Sequence, residues 1–317
     1  MKSTAGWWYY FLIQYRKAAG TETDAVESAN GVDMVRKEGK WAKQIIALQK
    51  EDGTWGLQFH CMAVPSGKYP LTTEQALRRL MVLGFDKNDE PVRRSVDYMT
   101  ACLRGERKVD DSWEKSHNWP LFTELMLASW VRVFEPDNDL ACALARRWAA
   151  VIEKAFERGE YDHDEYVEAY ISQFKSRPKG GREIDFSDFY HISLLKGMLT
   201  PKTESLMLDH VLSKPRGIYY IYPETLITPP DIFASRKTSW YMAALELLSG
   251  YGSAKKKLGF AVDWINENRD AHGQWDLGAK ANDGVYFPLS DSWRSTEKRK
   301  ADCTERIAAL LQKTAMA

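Results

Sequence analysis

Five stretches of this chain carry apolar residues at helical spacing, and they begin near 72, 121, 186, 236 and 301. The interval is about 50 to 65 residues, which marks a repeated unit. The stretches read TTEQALRRLMVLGF, WPLFTELMLASWVRVF, DFSDFYHISLLKGML, TSWYMAALELLSGYG and ADCTERIAALLQK. In the first, Ala76, Leu77, Leu80, Met81 and Leu83 share helical spacing, Thr72 or Thr73 can cap the start, and Gly84 can end it. Pro120 is tolerated in the first turn of the second. No clear alternating strand is present. GIYYIYPETLITPP comes nearest, and its prolines place it in a loop or a short extended segment. The chain is therefore expected to be all-α.

A further helical stretch follows several of the five. EPVRRSVDYMTACL follows the first and KKKLGFAVDWINENR the fourth. These two units overlay at a constant offset of 166, with Gly84 on Gly250, Phe85 on Tyr251, Val96 on Val262, Asp97 on Asp263, Tyr98 on Trp264 and Met99 on Ile265. A second overlay has an offset of 220: IIALQKEDGTWG at 45–56 lies on INENRDAHGQWD at 265–276. Ile45 meets Ile265, Gly53 meets Gly273 and Trp55 meets Trp275. In both, a helix ends, a Gly supplies a left-handed turn, and a Trp folds back onto the helix it has just left.

The composition allows a sizeable core in a globular chain, with 44% hydrophobic and 28% charged residues over 317 positions. Lys+Arg and Asp+Glu are both 44, so no net field attracts nucleic acid or an anionic membrane. The 12 Trp and 15 Tyr point to aromatic-packed helices or a ring-lined cavity. The cysteines at 61, 102, 142 and 303 form no CxxC pair and read as reduced thiols of a cytoplasmic protein. GWWYYFLIQYRK near the start lacks the basic leader and small-residue cleavage site of a signal peptide and reads as a first packed helix. No stretch approaches the roughly 20 apolar residues that span a bilayer.

Gln49, Asp52, Gly53 and Trp55 resemble the QW motif of terpenoid cyclases and the related protein prenyltransferases. The second copy keeps Gly273 and Trp275 but has Arg269 and His272 where Gln and Asp would stand. The resemblance implies an α/α toroid of five to six helical hairpins, a single domain over 1–317. Inner helices would ring a central cavity, outer helices would surround them, and the QW turns would tie the repeats together.

Three segments are candidates for the chemistry of such enzymes. A squalene–hopene-type cyclase protonates an alkene from an Asp-rich segment, and the nearest match is YDHDEY, which makes Asp162 and Asp164 the candidate catalytic residues. Their charged flanks favour a solvated acidic patch instead. Asp110, Asp111 and Glu114 resemble the magnesium signature of class I terpene synthases, although the partner metal motif of that family is missing. Asp302 and Cys303 resemble in position the zinc ligands of protein prenyltransferases, but they are adjacent rather than one residue apart and no His follows them. No metal site is assigned.

If the five runs are inner helices, their N-terminal ends, which carry partial positive charge, gather at one mouth. The candidate ligand-binding residues there are His117, Trp119, Asp188, Tyr190, His191, Arg236 and Trp240, with Thr73, Glu74, Lys237 and Asp302 beside them. Tyr219, Tyr220 and Tyr222 join from GIYYIYPE, and Asp291, Trp293 and Arg294 from PLSDSWR. Arg236 and Arg294 would hold an anionic group, and the rings an apolar or sugar portion. Three functions fit: an isoprenoid-type hydrophobic ligand in an aromatic cavity, glycoside chemistry by a carboxylate pair such as Glu74 and Asp188, or a non-catalytic scaffold.

Overall fold

The computed structural model describes residues 35–60, 71–109, 111, 117–180 and 183–316. These residues are helical, with no β structure beyond isolated bridges. The helices are α1 (Lys40–Ile46), α2 (Thr73–Val82), α3 (Glu90–Leu103), α4 (Trp119–Phe134), α5 (Asp139–Ala155), α6 (His163–Phe174) and α7 (Phe189–Leu195). They continue as α8 (Pro201–Ser213), α9 (Arg236–Leu248), α10 (Ala254–Lys257), α11 (Gly259–Glu267) and α12 (Thr296–Met316). Among the described residues, no helix is long and apolar enough to cross a membrane.

Local chemistry sets the starts. Thr72 and Gln75 form a reciprocal capping box on α2, and Asp188, Thr200 and Ser235 cap α7, α8 and α9. Proline stands in the first turn of α3, α4 and α8, where a missing N–H costs nothing. Helix α4 is apolar on nearly all sides and is the hub: it packs on α3, α5 and α7. From there α7 packs on α9, and α9 on α12. One continuous buried cluster runs from Ala42 to Leu311.

The two overlaid turns have the same geometry. Trp55 Nε1 donates to the Ile45 carbonyl at 2.7 Å, and Trp275 Nε1 donates to the Ile265 carbonyl at 2.7 Å. Lys50 N reaches Thr54 O and Asp270 N reaches Gln274 O, both at 2.8 Å. Gly53 and Gly273 sit at φ 89° and 80°. A Cβ on Gly53 would lie 2.5 Å from the Arg94 carbonyl oxygen, so no other residue fits. Each Trp backbone N–H then donates to a threonine of the following helix, Thr73 at 3.0 Å and Thr304 at 3.1 Å. Gln49 donates to the carbonyls of Gly53 and Pro91. Arg269 takes another route and lies over the Trp275 ring at 5.3 Å. The overlay at offset 166 is looser. Phe85 and Tyr251 are both buried, but only Gly84 is left-handed, while the Lys196 side chain lies across Gly250.

A strap, residues 283–293, joins the two ends of the chain. Asp283 Oδ1 accepts from the backbone N–H of Val285, Tyr286 and Phe287, and Ser239 donates to Oδ2. Asp302 Oδ2 accepts from Leu289 N, Ser290 N, Ser290 Oγ and Trp293 Nε1 at 2.6–2.9 Å. Arg79 of α2 donates to the carbonyls of Val285 and Pro288. From α1, Trp41 Nε1 and Lys40 N donate to Ser290 O and the Asp291 side chain. Arg306 of α12 makes a bidentate pair with Glu246 of α9 and lies over Tyr286 and Phe287.

Two outcomes follow for stability. Trp55→Phe and Trp275→Phe each remove one buried N–H donor and are expected to cost about 1–3 kcal/mol in urea unfolding. Equal losses would fit the shared geometry. Arg79→Met leaves the Val285 and Pro288 carbonyls without their donor and removes the charge near Asp283 and Asp302, and is expected to cost more, about 2–5 kcal/mol.

Candidate functional site

The first turns of α4 and α7 meet the turn at 218–222, and rings converge there. Phe122 is the centre. Its ring lies 5.0 Å from His117, 5.6 Å from Trp119, 5.6 Å from Tyr190 and 6.2 Å from His60. Tyr220 adds contacts to Tyr190 at 5.1 Å and to His60 at 5.8 Å, and Tyr219 touches Tyr220 at 4.4 Å. Perpendicular and tilted pairings prevail, as ring quadrupoles favour. The turn is fixed to α7: Tyr219 N donates to Ser187 O, and Phe189 N donates to Tyr219 O.

Behind this wall lies a buried polar interior. Glu74 of α2 accepts from Trp130 Nε1 at 2.6 Å and from the Tyr190 hydroxyl at 3.0 Å. The Arg78 guanidinium stacks 3.9 Å from the Phe189 ring centre and reaches the Tyr286 hydroxyl. Burial lowers the Arg79 guanidinium to about 10, against the pull of Asp283 and Asp302, so it stays charged at neutral pH.

Five of the expected ligand residues, His117, Trp119, Tyr190, Tyr219 and Tyr220, belong to this one wall. The others do not join it. Asp188 and His191 pair with each other at 2.8 Å, fully buried, as the cap of α7, and His191 packs against Trp148. Tyr222 is buried against Tyr241, and burial, then Glu224, pushes its hydroxyl up to about 12. Arg236 is exposed and donates to Asn282 O, and Trp240 packs on the core. Asp291 caps α1 through Lys40 N, and Arg294 is exposed.

Asp162 caps α6 by accepting from Asp164 N and Glu165 N, and its other oxygen meets Arg158. Asp164 is exposed. Neither carboxylate bonds to a residue of the wall. Of the magnesium set, Asp110 and Glu114 lie outside the described residues, while Asp111 Oδ2 accepts from His60 N at 2.9 Å. Asp302 is committed to the strap, and burial pushes the Cys303 thiol up to about 12, which disfavours a thiolate ligand. Among the described residues, no group of three or more His, Cys, Asp or Glu side chains could hold a metal ion.

Phe122 and His60 carry no site signal in the sequence. Phe122 lies on the apolar period of α4 and reads as core, and His60 lies in a segment with no period. A second ring cluster is equally silent there. His210 of α8 stacks on Phe186 at 5.2 Å and lies 4.5 Å from Tyr161 and 5.8 Å from Phe156.

Comparison with family models, curated proteins and solved structures finds no match to this chain.

Burial first, and Lys214 next, lower His210 to about 4, with Asp185 opposing. Its neutral form is therefore favoured in the folded chain. The unfolded chain takes up the proton near 6.5, so this group contributes stability above that pH and loses it as pH falls from about 6.5 to 4. Melting temperatures of wild type and His210→Phe across that window are expected to diverge, the variant losing less on the acid side.

Proposed function

We propose that the chain is an α/α toroid, built as terpenoid cyclases and protein prenyltransferases are, that holds an isoprenoid-type apolar ligand beside the ring cluster around Phe122, whose central rings Phe122 and Tyr190 are themselves buried. The wall carries the reading: rings from α4, α7 and the 218–222 turn converge where inner-helix starts would gather. The toroid is supported by the paired Trp turns and by the succession α4, α7, α9, α12, with α2 tied to α4 and α7 through Glu74. Ring faces carry negative charge, so the wall suits polarisable chains and cationic centres. The reading assigns no proton donor and no metal: among the described candidates Asp162 is a helix cap, Asp302 holds the strap, Asp111 accepts from His60 N and Asp164 is exposed.

A second reading has its own observation. Glu74, Arg78, Arg79 and Arg306 are all buried, and the two arginines Arg78 and Arg306 are packed against rings, so the core itself carries charge. A small apolar recess between α9, α11 and α12, lined by Leu245, Ile265 and Leu310, has no room for a water molecule. This favours a non-catalytic toroid in which binding at the mouth is the whole function.

The test is thermal shift with farnesol, farnesyl diphosphate and squalene, each with and without magnesium, beside neutral and acidic oligosaccharides. A ligand at a hundred times its dissociation constant stabilises the fold by about 2.7 kcal/mol. Stabilisation by the isoprenoids alone is expected. Stabilisation by sugars alone would replace this reading with a carbohydrate one, and silence from both panels would leave the scaffold.

A further inference from the structure

Phe186 is 1% exposed and sits in a box of rings drawn from α6, α8 and the turn between α5 and α6. Tyr166 and His210 lie against it at 5.9 and 5.2 Å, both near parallel, and Tyr161 and Phe156 close the sides at 5.8 and 6.1 Å. The residues next to Phe186 tie this box to the rest of the chain. Asp185 Oδ1 accepts from Lys214 Nζ at 2.7 Å and from Ser187 N at 3.0 Å. Ser187 O accepts from Tyr219 N, and Asp188 caps α7. Seating Phe186 therefore fixes the 185–188 connection, the start of α7 and the 218–222 turn together.

Of these rings, the imidazole of His210 alone exchanges a proton in mildly acidic water. Two features favour its charged form: ring faces attract cations, and His210 stands in the last turn of α8, at the negative end of the helix dipole. Burial opposes it, and so does Lys214, whose ammonium already lies over the Phe186 ring at 5.9 Å. Asp185 favours the charge, but its Oδ1 is committed to Lys214 and Ser187. The opposition wins, and His210 is lowered to about 4. The other charges at the edges of the box are paired among themselves. Asp162 caps α6 and meets Arg158, Glu157 pairs with Lys154 beside Phe156, and Asp209 of α8 pairs with Lys257 of α10. The Tyr161 hydroxyl lies 3.1 Å from His163 Nδ1, and burial, then Asp185 and Asp162, pushes it up to about 12.

We propose that His210 is an acid-sensitive latch: its neutral ring holds Phe186 in place, and proton uptake in acid releases Phe186 and the 185–188 connection while the rest of the fold stays closed. The latch stands apart from the ligand reading above. An opened state, with Phe186 withdrawn and His210 in water, takes up its proton near 6.5, and the closed state only near 4. Closure is therefore fully favoured above pH 6.5 and loses ground as pH falls toward 4. At pH 4.5 the two values allow local opening to rise by up to about a hundredfold.

Hydrogen exchange of the full chain at about pH 6.5 and 4.5, corrected for intrinsic rates and read by mass spectrometry of fragments, tests the latch. The fragment over 185–192 carries the reporting amides: Ser187 N bonds to Asp185, Phe189 N to Tyr219 O and Ile192 N to Asp188 O. In wild type this fragment is expected to lose protection at least tenfold at the lower pH, while the fragment over α11 changes by less than about twofold. His210→Phe keeps a ring in the box and His210→Gln does not, and neither takes up a proton, so either one that folds decides the matter. In both, the acid loss over 185–192 is expected to fall below about threefold. The full wild-type loss in these variants would overturn the latch. So would an unchanged wild-type fragment, or an equal loss over 185–192 and α11, which would mark opening of the whole fold instead.

Discussion

Arg79 is the constraint on which the closure of the chain depends. Its side chain is 1% exposed, and a buried guanidinium must find acceptors or destabilise the fold by several kcal/mol. It finds them 206 and 209 residues away, in the carbonyls of Val285 and Pro288. Those carbonyls are in reach only while the strap is seated, and the strap is seated by Asp283 and Asp302, which gather its backbone N–H groups. The same two carboxylates hold up the Arg79 charge. Cation, strap and anions are therefore one unit, and the first and last thirds of the chain cannot part without breaking all of it. The Arg306–Glu246 pair, lying over Tyr286 and Phe287, encloses the strap from the other side.

The sequence showed what local chemistry decides. The Trp turns were legible because each needs only a helix end, a glycine and an indole close together in the chain, and both copies hold the same 2.7 Å bond. Degeneracy at Arg269 was legible as a mismatch but not in its consequence, since a guanidinium over the indole also braces that turn. The strap was not legible. PLSDSWR reads as a source of ligand residues, whereas the strap's partners lie far along the chain on α1, α2, α9 and α12.

The candidate site divides in the same way. Trp119 and Tyr190 lie in the first turns of α4 and α7 and His117 just before α4, and all three rings lie against Phe122. Tyr220 came in through its aromatic run. Asp188 stands out as polar at a helix start, Asp162 for its acidic run and Asp291 within PLSDSWR, yet each carboxylate is consumed by backbone N–H groups at a helix start. An acid at such a position already has backbone N–H partners, and the side chains gathered around Phe122 are aromatic ones instead.

Tyr190 joins the two halves of the site. Its ring faces Phe122 and Tyr220, and its hydroxyl is held by Glu74, which also holds Trp130. Removing the hydroxyl would leave a buried carboxylate short of a donor, so the ring position is fixed by electrostatics and not by packing alone. A wall fixed in this way is organised before any ligand arrives. The proposed ligand would therefore spend little on ordering these side chains. The buried carboxylate of Glu74 is thus what holds the Tyr190 ring against Phe122 and Tyr220.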